Sequence, residues 1–108
     1  MPDFAEQHCV PCEGGTLPLT IDDAKAILEY VKEWTLSEGG KKISRDFTFK
    51  DFKEALAFVN KVGDLAESEG HHPDICIWWN KVRLELSTHA IGGLSTNDFI
   101  LAARINKF

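Results

Sequence analysis

Three histidines, His71, His72 and His89, fall within nineteen residues of one another. Imidazole is the side chain best suited to moving protons near neutral pH, because its unperturbed pKa is about 6.5. The first two stand in the run Glu67-Ser-Glu-Gly-His-His-Pro73, where a carboxylate precedes them by about one helical turn, and a further carboxylate, Asp98, follows His89. Histidines with carboxylates beside them point to a proton-transfer site. A three-histidine zinc site is the competing chemistry. The adjacent pair His71-His72 lacks the helical or alternating spacing that turns two rings towards one ion, so no metal is expected. A single histidine at a helix end more often answers the helix dipole, and His8, isolated near the N-terminus, is read in that plain way. Asp98 likewise has a structural alternative, because it stands three residues after Ser95 in a capping-box pattern.

These residues need elements to bring them together. Phe52, Ala55, Leu56, Val59, Val62, Leu65 and Ala66 follow a 3.6-residue period, which predicts a long helix over 50–69. Gly70 suits its left-handed cap, and Pro73 prevents continuation. Pro73 also biases His72 towards an extended backbone. Residues 74–88 then alternate like a β-hairpin, with Asn80-Lys81 as the expected turn, Trp78 and Trp79 on opposite faces, and Val82, Leu84 and Leu86 turned inwards. An antiparallel hairpin returns the chain to where it began, so His89 should come back beside His72. Upstream, Thr20 caps a helix expected to run to about Lys32. A hairpin follows, with strands over 34–37 and 42–49 joined at Gly39-Gly40. In its return strand Arg45 stands on the apolar side, which the pattern does not explain. A last helix opens at Ser95 and should bury Phe99, Ile100, Ala103 and Ile105. The order α-β-β-α-β-β-α predicts an α+β, two-layer domain over 1–108, in which a four-stranded antiparallel sheet carries three helices on one face. Residues 1–19 form an irregular N-terminal arm.

Composition narrows the partners. The net charge of −5 at 108 residues provides no basic face for phosphates, so direct nucleic-acid binding is not expected. No run approaches the roughly 18 apolar residues of a membrane span, and the first residues lack the pattern of a signal peptide. The chain therefore reads as cytoplasmic. Three cysteines make no disulfide framework. The Cys9-Val-Pro-Cys12 spacing is half a zinc or redox motif without its other half, and Cys76 is expected to be a small buried apolar residue. A domain this small often completes its burial by association, so a homodimer or homotetramer is expected.

Glu67-x3-His71-His72-Pro73, an aromatic at Trp79, His89 and Asp98 together resemble the signature of the pterin-4a-carbinolamine dehydratases. Trp34-x-Leu36, Phe47-x-Phe49-x2-Phe52, Asn80-Lys81-Val82 and Leu86-Ser-Thr-His89 extend the likeness over roughly residues 9–105. Gly70 and Ile75 depart from residues that some relatives carry, without touching the histidines. The resemblance implies an enzyme with a pterin small-molecule substrate and no cofactor. Such enzymes remove water from the 4a-hydroxytetrahydropterin left by aromatic amino acid hydroxylases, giving quinonoid dihydropterin. His71, His72 and His89 would be catalytic, with His72 and His89 nearest the departing hydroxyl. Glu67, Pro73, Trp79 and Asp98 would bind substrate or support the rings. It also implies a rival role, since some animal members act as dimerisation cofactors of a homeodomain transcription factor and others with degraded sites assist assembly.

Overall fold

Asp51 and Gly70 bound the element on which the rest of the fold is hung. The Asp51 side chain accepts from the Glu54 N–H at the start of helix α2 (Phe52–Glu69), and Gly70 closes its end in the left-handed conformation, φ 67°. A carboxylate there satisfies an otherwise orphaned donor, and glycine enters that region without a Cβ penalty. The computed structural model describes residues 3–9 and 17–108, so Cys12, and with it the expectation for the Cys-x-x-Cys spacing, lies outside the described residues.

The chain order is α1 (Ile21–Leu28), β1 (Thr35–Leu36), β2 (Ile43–Thr48), α2, β3 (Asp74–Trp78), β4 (Lys81–Leu86) and α3 (Thr96–Ile105). The expected α+β order is therefore the observed one. Four antiparallel strands lie in the spatial order β1-β2-β4-β3, with three helices packed on one face. Register follows the apolar pattern: Ile43 faces Leu86, Arg45 faces Leu84 and Phe47 faces Val82. Those positions turn towards the helices, while Ser44, Asp46 and Arg83 occupy the other face. On that face Arg83 binds Asp46 through two nitrogens, at 2.7 and 3.1 Å. The guanidinium's hydrogen bonds draw the Asp46 carboxyl below its ordinary range. Val62, Leu84, Leu86, Leu94, Phe99 and Leu101 are fully enclosed. Each large apolar side chain of this kind contributes about 1.5–3 kcal/mol relative to exposure.

Several boundaries differ from the sequence pattern. The first helix stops at Leu28 rather than near Lys32, and Glu33 turns the chain with φ 76°. The second hairpin turns at Trp79-Asn80, one residue early, because Trp78 pairs with Lys81. Trp79 takes φ 46° there. Cys76 is exposed, not buried. β4 inserts beside β2 and leaves β3 as the sheet edge, where Cys76 sits on the outer face opposite Arg83. Phe52 and Leu56 belong to the periodic stripe of α2 but remain 43% and 40% exposed. The last helix is buried more completely than its pattern indicates, because a 3-10 turn at Phe4–Glu6 packs over it and adds Phe4 to the core.

The structure also explains Arg45. Its guanidinium donates to Asn106 Oδ1 at 2.6 Å and lies over the Phe47 ring, 4.4 Å from the centroid. The same oxygen accepts from Trp34 Nε1 at 2.8 Å, while Asn106 Nδ2 donates to the Lys32 carbonyl at 2.8 Å. One amide thus ties α3 to the strand β2 and to the turn after α1. Asn106→Ala strands the nearly buried indole N–H and is expected to cost about 2–3 kcal/mol, read as a lower urea midpoint at unchanged m-value. An unchanged midpoint would show that water replaces the amide.

Candidate active site

His71 and His72 leave the end of α2 as the chain turns into β3. The His71 backbone N–H still bonds to the Ala66 carbonyl at 3.2 Å, closing the glycine-capped helix end. The two rings part, as an extended pair of neighbours must, and each meets its own carboxylate. His71 Nε2 lies 2.6 Å from Asp98 Oδ1, and His72 Nε2 lies 2.5 Å from Glu67 Oε2. The environments differ sharply. His71 is 12% exposed and Asp98 fully buried, whereas Glu67 is 80% exposed. The buried pair holds a ring rigidly, and the surface pair is worth little by itself.

An ionised carboxylate only accepts hydrogen bonds, so it calls for a proton on the imidazole nitrogen facing it. In neutral His71 that places the proton on Nε2 and leaves Nδ1 with a lone pair. Asp98 Oδ2 is occupied as well. It accepts from Thr88 Oγ1 at 2.9 Å and from the Ser95 backbone N–H at 3.0 Å, within the capping box of α3. Asp98 is therefore both helix cap and ring orienter.

His89 arrives by a different device. It opens a single 3-10 turn, His89–Ile91, in a loop pinned at its base by Thr88 and Gly93. The Thr88 N–H donates to the Gly93 carbonyl at 2.7 Å, and the Thr88 hydroxyl reaches Asp98. Asp98 thus supports His71 directly and the His89 loop through Thr88. The His89 side chain is exposed and has no hydrogen-bond partner among the described residues. All three histidines line one cavity of about 270 Å³, with Cys9, Glu69, Thr88 and Asn97 among its other walls. Among the described residues no group of three His, Cys, Asp or Glu side chains is placed to hold a metal ion.

Two expected members stand apart. Pro73 follows His72 in the chain and does not line the cavity. Trp79 is 66% exposed at the turn between β3 and β4. That is the opposite end of the sheet, roughly 20 Å of extended chain from His72, so Trp79 does not join the histidines. A larger cleft of about 400 Å³ lies towards that end, walled by Arg45, Phe47, Phe58 and Phe108. It is lined by no histidine or cysteine, whereas the smaller cavity gathers all three histidines. Sequence reasoning missed Thr88, Asn97, Glu69 and the contact of Cys9. Of these only Thr88 carried a signal, by standing between the last strand and His89.

The sequence profile of the family described as pterin 4 alpha carbinolamine dehydratase matches residues 17–108. The chain belongs to that family. A relative from Aromatoleum aromaticum, provisionally named a pterin-4-alpha-carbinolamine dehydratase, is 52% identical over 102 residues, covering 94% of this chain and 91% of its own. One from Methylococcus capsulatus, with the same provisional name, is 48% identical over 101 residues, covering 94% and 89%. A crystal structure of a transcriptional coactivator/pterin dehydratase from Brucella melitensis superposes with a TM-score of 0.78 at 31% identity, over 83% of this chain and 96% of that one. A pterin dehydratase-like protein described as a RuBisCO assembly factor shares the fold alone, with a TM-score of 0.60 at 21% identity over 69% of this chain and 87% of its own. No described helix of this dehydratase-family chain is long and apolar enough to cross a membrane.

Proposed function

We propose that this protein dehydrates 4a-hydroxytetrahydropterin to quinonoid dihydropterin by general acid–base catalysis, serving recycling of the tetrahydropterin used by aromatic amino acid hydroxylases. The observation that carries the proposal is the convergence of His71, His72 and His89 on one cavity, with two of the rings oriented by carboxylates. In the reaction the C4a–O bond breaks and a C4a=N5 bond forms. The oxygen leaves as water after taking a proton, N5 gives one up, and no electron is gained or lost overall. Two proton-transfer groups on different sides of one ring suffice. His72 and His89, both exposed at the cavity mouth, act at the departing hydroxyl, and His71 takes or holds the second proton. Glu67 and Asp98 orient their rings and answer the positive charge that develops on the pterin. General acid–base help is worth about 10²–10⁴ in rate, or roughly 3–5.5 kcal/mol, a suitable scale for an intrinsically labile carbinolamine.

A dehydration assay on chemically generated carbinolamine tests this reading. Acceleration over the spontaneous reaction, undiminished by a chelator, is expected. Activity that vanishes on chelation and returns with zinc would replace histidine acid–base chemistry with metal chemistry, and no acceleration at all would leave the interaction-module role as the better account.

The same proposal includes a homodimer or homotetramer in a cytoplasmic setting. Phe52 and Leu56 on α2, with Ile75 and Trp78 on the edge strand β3, leave large apolar side chains uncovered. Edges of this kind are normally paired or protected. Sedimentation at micromolar concentration should give a mass of two or four chains, and a monomer would contradict it.

A further inference from the structure

Glu69 ends α2, where a negative charge meets the negative end of the helix dipole. It is nevertheless only 9% exposed and heavily engaged. Its Oε1 accepts from the Cys9 backbone N–H at 3.0 Å and pairs with Arg104 of α3 at 3.0 Å. The His8 ring nitrogen Nδ1 lies 3.2 Å from both carboxylate oxygens. The Cys9 N–H, followed by His8 and Arg104, outweighs burial and holds the carboxyl below its ordinary range. One charged side chain therefore joins the end of α2, helix α3 and the N-terminal arm. The arm is fixed at a second point by Phe4 in the core. Between these anchors the chain is led so that Cys9 walls the histidine cavity, its Sγ 3.7 Å from the Asn97 carbonyl. Residues 3–9 lie outside the region that matches the family profile, residues 17–108. His8, read from sequence as a residue answering a helix end, does meet the end of α2 through Glu69 and is part of the fastening.

We propose that Glu69 is a positioning residue: it clamps the N-terminal arm so that Cys9 forms one wall of the pterin cavity and helps hold the bicyclic ring. The inference rests on the dehydratase reading. Glu69 also borders the cavity, but its carboxylate oxygens are engaged by the Cys9 N–H, His8 and Arg104, so its proposed part is to hold the arm rather than to exchange a proton. A wall that grips substrate and transition state alike changes KM and leaves kcat nearly alone.

The experiment compares wild type, Glu69→Ala and Glu69→Gln by steady-state dehydration kinetics on the 4a-carbinolamine. Alkylation of Cys9 by N-ethylmaleimide is followed in parallel by mass spectrometry, with exposed Cys76 as internal reference. Glu69→Ala is expected to raise KM about fivefold or more with kcat within about twofold. It should also speed Cys9 alkylation about fivefold or more relative to Cys76, because local opening exposes the thiol. Glu69→Gln keeps an acceptor for the Cys9 N–H but loses the charge, so it should fall between the two. If Glu69→Ala does not fold, the Gln variant is held to the same directions. Unchanged KM overturns the inference, whatever the alkylation shows, and so does a fall in kcat at constant KM. A wild type without dehydratase activity removes the functional reading and this inference with it. An active wild type whose KM ignores Glu69 strikes the inference alone.

Discussion

Replacing His72 or His89 with alanine should lower the rate of carbinolamine dehydration at least about tenfold, within the range of general acid–base groups. Both variants should keep their melting temperature. His89 has no partner among the described residues, and His72 bonds only to Glu67, itself 80% exposed. Substitutions away from buried features rarely disturb stability, so lost turnover would report chemistry rather than unfolding. A tenfold loss corresponds to about 1.4 kcal/mol of barrier. His71→Ala behaves differently. From sequence its ring ranks as the lesser contributor, but its bond to fully buried Asp98 means that removal strands a buried carboxylate oxygen. That variant should lose stability as well as rate, and comparing its rate with its urea midpoint separates the two losses. Full activity in both His72→Ala and His89→Ala would remove histidine catalysis from this cavity.

What could be seen beforehand followed from local rules. The stripe of α2, its glycine cap and the alternation of β4 are consequences of period and backbone sterics, and they return His89 to the neighbourhood of His72 by hairpin geometry alone. The residues that escaped notice depend on contacts between distant segments. Cys76 is apolar enough to suggest the core, but pairing places Ile75 and Ile77 on the inner face opposite Leu84 and Val82 and leaves Cys76 on the outer face opposite Arg83. Arg45 breaks its pattern because a partner, Asn106, waits sixty-one residues away. His8 and Glu69 are likewise separated by sixty-one residues. No periodicity announces such a pair. Trp79 was placed at the site by family likeness, whereas its position in the turn puts it at the opposite end of the sheet.

Asp98→Asn separates the two duties of the carboxylate. The amide keeps one oxygen acceptor, and the Ser95 N–H with the Thr88 hydroxyl offers it two donors, against one from His71. The oxygen should therefore stay on the cap, turning the amide nitrogen towards His71 Nε2. That nitrogen only donates. His71 Nε2 must then become the acceptor, and its proton moves to Nδ1. The ring keeps its position but presents the opposite tautomer to the cavity and loses its compensating charge. Melting temperature should hold to within a few degrees while turnover falls about tenfold or more, as expected when one general acid–base group is disabled. Asp98→Ala removes cap, Thr88 anchor and ring partner together, and should lose both stability and activity. Ser95→Ala touches the cap without touching His71, so it should lower the melting temperature and spare kcat. If Asp98→Asn turns over like wild type while Ser95→Ala and Asp98→Ala both melt early, Asp98 is a helix cap and nothing more, and the orientation of His71 does not limit the reaction.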